Sequence, residues 1–330
     1  MKIRRVLSLY FMMGMLLFAR PVSGEQPDSL AEIYRKSKLA GVEVLIDGHH
    51  AGCGAFVDRG GIVATAAHVI GSPDRKVEIR CSEGRLDATV IAVDMGRDVA
   101  LLQVPANTKG YAFLSLAEKK PVPGDEALLY ASPVYRHGLF QRGMIARDET
   151  TFEHQSHFVE VTHISAHVYE GSSGGPWMNR AGELIGIQSG SITVNSTSAG
   201  VANVGSVSAV RTLMKTRRNA ATPTLGLFVD EVWVLQPKPL RRFPPKTEGV
   251  VIQSLVQDGP AARAGLKKGE AVVEADGEKF RLRDEFLRII RRKKPGESMT
   301  LKILRPNGAG VHAVTVSLGR LEVGWPDAKQ

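Results

Sequence analysis

Residues 41 to 213 alternate short apolar runs with glycine, and this punctuation restricts the segment to many short strands. Val42-Glu43-Val44-Leu45-Ile46, Val77-Glu78-Ile79-Arg80, Ala127-Leu128-Leu129-Tyr130 and Phe158-Val159-Glu160-Val161 are strand-length runs bounded by turn residues. Such a series reads as an all-β barrel fold. Helices are expected only at its margins. Ser29 to Lys38 is one, because Ser29 and Glu32 stand at capping-box spacing; Ser208 to Lys215 is the other.

Three motifs within this β-rich part carry chemistry. Gly171-Ser172-Ser173-Gly174-Gly175-Pro176 holds a hydroxyl in a tight glycine turn, and its glycines permit angles that would turn the amides of Gly171 and Ser173 toward a developing oxyanion. Ile62-Val63-Ala64-Thr65-Ala66-Ala67-His68 runs an apolar strand into a histidine, a setting that fixes one imidazole rigidly. Asp98 heads the apolar strand Val99-Ala100-Leu101-Leu102, where a buried carboxylate can orient that imidazole. Each has a bland reading: a hairpin turn, a structural histidine, a strand-start cap. The order His68, Asp98, Ser173 is that of chymotrypsin, not of subtilisin or the α/β-hydrolases, and three motifs in one order outweigh any alone. Ser173 is the candidate nucleophile, His68 the general base and Asp98 the orienting acid.

With these residues the chain resembles an HtrA-type (Deg-type) trypsin-like serine protease. Intervals of 30 and 75 residues separate the three positions. Asp94, four residues before Asp98, and Gly182-Glu183-Leu184-Ile185-Gly186-Ile187 after the nucleophile also match. The resemblance implies a pair of six-stranded barrels with the triad in the cleft between them. It also implies degradation of unfolded or damaged exported proteins, and a homotrimer. The chain departs from the pattern beside the oxyanion turn. Ser172 stands where the family usually has asparagine, Tyr169-Glu170 replace an Asn-Pro-like pair, and Gly200 to Val210 lacks the usual Phe-Ala-Ile-Pro run.

Residues 1 to 24 read as a secretory leader: Lys2, Arg4 and Arg5, an apolar run from Val6 to Phe18, and Val22-Ser23-Gly24 as a cleavage site. The run is too short for a comfortable membrane span, although an uncleaved N-terminal anchor is the alternative. The expected compartment is periplasmic or extracellular. The leader holds four of the basic residues and no acid, so its loss lowers the formal charge from +9 to +5. Much of the basicity therefore belongs to the leader, and the run Arg288-Ile289-Ile290-Arg291-Arg292-Lys293-Lys294 reads as a solvated helix end, not a nucleic-acid site. Oxidising surroundings leave two readings of Cys53 and Cys81: a single disulfide, or two free thiols.

The expected organisation is a leader (1–24), a trypsin-like protease domain (25–216), a linker (217–223), a PDZ domain (224–322) and a tail (323–330). Gly249-Val250-Val251-Ile252 and Gly259-Pro260-Ala261-Ala262-Arg263-Ala264-Gly265-Leu266 resemble a PDZ domain, a small α+β fold. Its helix is expected over Leu282 to Lys293, with Leu282, Phe286, Ile289 and Ile290 on one face. An extended peptide would add as a strand beside the groove, its terminal carboxylate held by the loop Leu225-Gly226-Leu227; the alternative is that this segment merely starts a strand. Gln236 to Lys246 is a basic, proline-rich insertion without a role beyond a loop.

By resemblance to trypsin-like folds, His167, Val168 and Ile187 are expected at the S1 pocket, which suits small aliphatic P1 side chains; acidic P1 residues paired with His167 are the second reading. His154, His157, His163 and His167 match no zinc spacing, so neither metal nor cofactor is expected. The leading reading is an exported serine endopeptidase whose PDZ domain binds C-terminal peptides. A proteolytically silent scaffold or chaperone of the same fold competes with it, and a processing protease with one folded substrate shares every catalytic residue.

Overall fold

The computed structural model describes residues 29–72, 75–195, 197–306 and 310–322. The expected leader and C-terminal tail lie outside the described residues. The first helix is α1 (Leu30–Ala40). Its N-terminus is closed reciprocally: Ser29 Oγ accepts the Glu32 N–H at 3.2 Å, and Glu32 Oε2 accepts the Ser29 N–H at 2.9 Å.

Six strands follow: β1 (Gly41–Ile46), β2 (His49–Phe56), β3 (Ile62–Thr65), β4 (Val77–Cys81), β5 (Gly84–Asp94) and β6 (Val99–Gln103), with the one-turn helix α2 (Ala67–Ile70) after β3. They close into a barrel in the order β1-β2-β3-β6-β5-β4. Phe56, Ile79, Leu101 and Leu102 are wholly buried inside it.

A second set comprises β7 (Glu126–Ala131), β8 (Leu139–Ile145), β9 (Thr151–His154), β10 (Phe158–Ser165), β11 (Pro176–Met178), β12 (Leu184–Val194) and β13 (Thr197–Ser206). Its order is β13-β12-β11-β7-β8-β10-β9, and pairing of β10 with β13 closes six of these strands into a barrel. The β9–β10 hairpin is left projecting from the wall. Trp177 is fully buried in this barrel, its indole N–H donating to Gln188 Oε1 at 2.8 Å, so the polar edge of a large core side chain is satisfied. Helix α3 (Val207–Thr216), capped by Ser206, returns to the first barrel and buries Val207, Val210 and Leu213 there.

The remaining strands are β14 (Pro223–Thr224), β15 (Leu227–Glu231), β16 (Val250–Leu255), β17 (Ala271–Ala275), β18 (Glu278–Lys279), β19 (Ser298–Leu304), β20 (Val311–Ser317) and β21 (Gly319–Arg320). Helices α4 (Pro237–Leu240), α5 (Pro260–Arg263) and α6 (Arg283–Arg291) complete the unit. The sheet runs β15-β16-β17-β19-β20, leaving β15 as an edge strand. Phe286, Ile289 and Ile290 of α6 are buried as their spacing requires, whereas Leu282 lies one residue before the helix and is 44% exposed.

The basic run departs from its reading as a solvated helix end. Arg291 is pushed down to about 10 by burial, yet stays cationic at neutral pH. Its guanidinium donates to the carbonyls of Pro223 at 2.9 Å and Phe158 at 2.5 Å. Arg288 donates to Thr150 O at 2.9 Å, and Arg283 of the same helix to Phe152 O at 2.9 Å. Arg292 and Lys293 pair with Glu278 and Asp276. The run thus straps the β9–β10 hairpin to α6. Phe152 and Phe158 of that hairpin join the apolar cluster of Leu225, Leu227 and Phe286, and burying each contributes about 1.5–3 kcal/mol.

Candidate active site

His68 enters the cleft on α2, directly after the buried strand β3. Its Nδ1 lies 2.7 Å from Asp98 Oδ2, and its backbone N–H donates to Asp98 Oδ1 at 2.8 Å. Asp98 is 2% exposed and sits at φ 53°, a left-handed conformation that costs a non-glycine residue strain and marks a constrained position. The turn before it is built by Asp94, which accepts the Arg97 N–H at 3.1 Å and its guanidinium at 3.2 Å.

Burial resists ionisation of Asp98, but the His68 charge and the hydrogen bonds from His68 and Ser189 overcome it and hold the carboxyl below its ordinary value. Burial likewise works against a charged imidazole at His68, and the Asp98 carboxylate outweighs it, raising the histidine above its ordinary value.

Ser173 lies in a turn that demands glycine. A Cβ on Gly174 would fall 2.0 Å from Cys53 O, and Gly174 has φ 83°. The Cys53 N–H donates to Ser173 O at 2.7 Å, which fastens the turn to β2 of the first barrel. Ser173 Oγ donates to Ser189 O at 3.3 Å. The hydroxyl is therefore turned to the Ser189 carbonyl, and among the described residues it makes no hydrogen bond to His68; catalytic hydrogen bonds often form only once substrate is bound. Among the described residues the Gly171 and Ser173 N–H groups bond to nothing else, and Gly171 has φ 86°.

Sequence reading missed Ser189, whose hydroxyl donates to Asp98 Oδ2 and receives Gln155 Nε2 at 2.8 Å. It follows Gly186-Ile187-Gln188, and its role is visible only when β12 is laid across the cleft. Also missed was the segment behind the turn. Val134 N–H donates to Glu170 O at 2.9 Å, Cys53 Sγ donates to Gly171 O at 3.3 Å, and Ser132 N–H donates to Cys53 Sγ at 3.1 Å. Ser172 Oγ is buried and has no hydrogen-bond partner among the described residues.

The expected S1 trio does not converge. Ile187 has no exposed surface and packs in the core cluster with Leu128, Met178 and Val210, so it presents nothing to a substrate. Val168 packs instead with Trp177 and Ile164 in the second barrel. His167 is exposed, its ring beside Gly200.

Of the two readings of the cysteines the structure has the second: Cys53 and Cys81 are both free thiols. Glu43 of β1 pairs with Cys53 on one side and with Arg80 on the other. The two cysteine-bearing strands thus flank β1, and two strand spacings, about 9–10 Å, exceed the roughly 7 Å that a disulfide spans between Cα atoms.

Three of the four clustered histidines take separate partners. His163 Nε2 meets Glu153 at 3.1 Å, His157 Nε2 meets Met95 O at 2.7 Å, and the His154 ring packs 4.3 Å from that of Phe228.

Leu225, Gly226 and Leu227 line a cavity with Leu287, Ile290 and Arg291 of α6, and with His154, His157 and Phe158 of the β9–β10 hairpin. Gly226 has φ 68° and its N–H already donates to Thr224 Oγ1 at 3.0 Å. The hairpin stands against the edge strand β15, with the Phe158 and Phe228 rings 5.6 Å apart.

The trypsin-like peptidase domain family matches residues 52–187, and the PDZ domain family matches residues 235–318. A probable periplasmic serine endoprotease DegP-like of Halomonas elongata is 30% identical over 281 residues, covering 84% of this chain and 57% of that protein. A putative serine protease HhoA of Synechocystis sp. is 26% identical over 266 residues, covering 77% of this chain and 67% of that protein. The chain spans about half the length of the DegP-like proteins it matches. In fold it is similar to the HtrA-type protease AlgW with tripeptide, at TM-score 0.63 and 20% identity over 89% of this chain and 98% of that one. The serine endoprotease from Yersinia pestis is similar at TM-score 0.59 and 20% identity, over 90% of this chain and 100% of that one.

Proposed function

For a chain of HtrA type, with a trypsin-like peptidase domain followed by one PDZ domain, we propose the activity of an exported serine endopeptidase acting on unfolded or damaged proteins of the cell envelope. The observation that carries this reading is the pairing of His68 with a buried, ionised Asp98 across the cleft from Ser173. Ser173 would turn its hydroxyl to His68 as substrate enters, attack the peptide carbonyl and pass its proton to the imidazole. The Gly171 and Ser173 N–H groups would hold the oxyanion, and His68 would return the proton to the leaving amine. Asp98 would keep the tautomer and stabilise the imidazolium.

The periplasmic naming of the DegP-like relatives supports export. The cavity at Leu225-Gly226-Leu227 supports C-terminal peptide binding in the PDZ unit. Because the β9–β10 hairpin forms one wall of the cavity beside β15 and α6, an incoming peptide would have to push it aside. Digestion of unfolded casein by the chain from Glu25 onward, beside Ser173→Ala and with an apolar C-terminal peptide added, tests the proposal. Fragments from the parent alone are expected. Intact casein with both proteins would favour the peptide-binding scaffold.

A further inference from the structure

The basic, proline-rich insertion is a built surface feature. From Val232 to Lys246 the chain contains Lys238, Arg241, Arg242 and Lys246 and no acidic residue. All four cations are exposed, and among the described residues none of them makes an ion pair. The acids at either end are committed elsewhere: Glu231 accepts the Arg283 N–H at 3.1 Å, and Glu248 pairs with Arg281 at 2.5 Å.

Beside these cations stand three apolar side chains facing water: Trp233 at 64%, Val234 at 44% and Leu240 at 37% exposed. The segment is held rigidly. Phe243 and Val232 are buried with Val251, Ala271 and Leu304, and Arg241 and Arg242 donate their N–H groups to Pro237 O and Pro239 O. Four prolines restrict the backbone further.

Exposed cations alone are ordinary on a surface, and an exposed tryptophan alone is too. An acid-free cationic segment that also exposes tryptophan, valine and leucine, and is anchored by Val232 and Phe243, matches one surface chemically, the headgroup layer of an anionic membrane. There lysine and arginine meet phosphates while tryptophan settles at the boundary of the acyl chains. We propose that residues Trp233 to Lys246 dock the chain on anionic phospholipid. A duplex nucleic acid would engage the cations and leave the apolar residues unused, and a single strand could stack on Trp233 but would gain nothing from the aliphatic Val234 and Leu240.

The test uses the chain from Glu25 onward with vesicles of phosphatidylethanolamine and phosphatidylglycerol, against vesicles of phosphatidylcholine. Co-sedimentation with the anionic vesicles and a blue shift of tryptophan emission are expected. With about 1 kcal/mol contributed per cation, Arg241→Gln with Arg242→Gln weakens partitioning about thirtyfold, and Trp233→Ser abolishes the shift. Casein cleavage without vesicles is unchanged in these variants, which separates this proposal from the protease reading. Equal partitioning onto phosphatidylcholine, or variants that partition like the parent, would overturn it. So would binding to a single-stranded DNA oligonucleotide that matches vesicle binding and is indifferent to Trp233.

Discussion

The hydroxyl of Ser189 donates to Oδ2 of Asp98, the same oxygen that faces His68 Nδ1 at 2.7 Å. Asp98 is therefore held from two barrels, by His68 from the first and by β12 of the second. Removing a donor from a buried carboxylate costs about 1.5–3 kcal/mol. Ser189→Ala should lower kcat/KM about 10- to 100-fold, mostly in kcat, because the lost hydroxyl acts on the imidazole through Asp98. Steady-state kinetics on a peptide ester check this.

The pH profile follows from the same pair. His68 is held above its ordinary value of about 6.5, and only the neutral imidazole can accept the Ser173 proton. Activity should therefore rise with pH through a midpoint above about 6.5 and be lost below it. Asp98→Asn should move that midpoint down and lower kcat by about 10⁴-fold. Stopped-time assays from pH 5 to 9, with substrate kept accessible, measure both.

The thiols give a test of the first barrel. Burial pushes the Cys53 thiol up to about 12, so it should resist a thiol reagent at pH 8 in the folded protein. Unfolding in denaturant without reductant should release two thiols per chain. Zero thiols would mean that the cysteines are joined, and that the β2–β1–β4 order is wrong.

Phe158 is 5% exposed, within the cluster that joins the hairpin to the PDZ unit. Phe158→Ala should cost about 3–5 kcal/mol, and by loosening a competitor for the groove it should tighten binding of an apolar C-terminal peptide about tenfold. Denaturant unfolding and the anisotropy of a labelled peptide read the two effects separately.

Much of this architecture was legible before the structure. The strands at Val42–Ile46 and Ala127–Tyr130 announce themselves because β-structure depends on local apolar runs, and the Ser29–Glu32 cap is a contact between near neighbours. His68, Asp98 and Ser173 were legible as a candidate triad because each lies in a distinctive local motif. Ser189, Cys53 and Ser132 were not, since their roles arise from strands that meet only when two barrels are folded. Ile187 was misplaced because a one-residue alternation on β12 decides between cleft and core, and the bulge opposite Trp177 and Met178 shifts that register. Arg291 was misread for a similar reason: a charge on a helix end looks solvated until another domain covers it.

The central claim is that Ser173 is a nucleophile activated by His68. Labelling of the chain from Glu25 onward with a fluorophosphonate, followed by mass analysis of its peptides, tests it most directly. One adduct per chain on the peptide containing Ser173, lost in Ser173→Ala and strongly slowed in His68→Ala, is the result this account predicts. No adduct with the C-terminal peptide present, or an adduct that persists in Ser173→Ala, would contradict it.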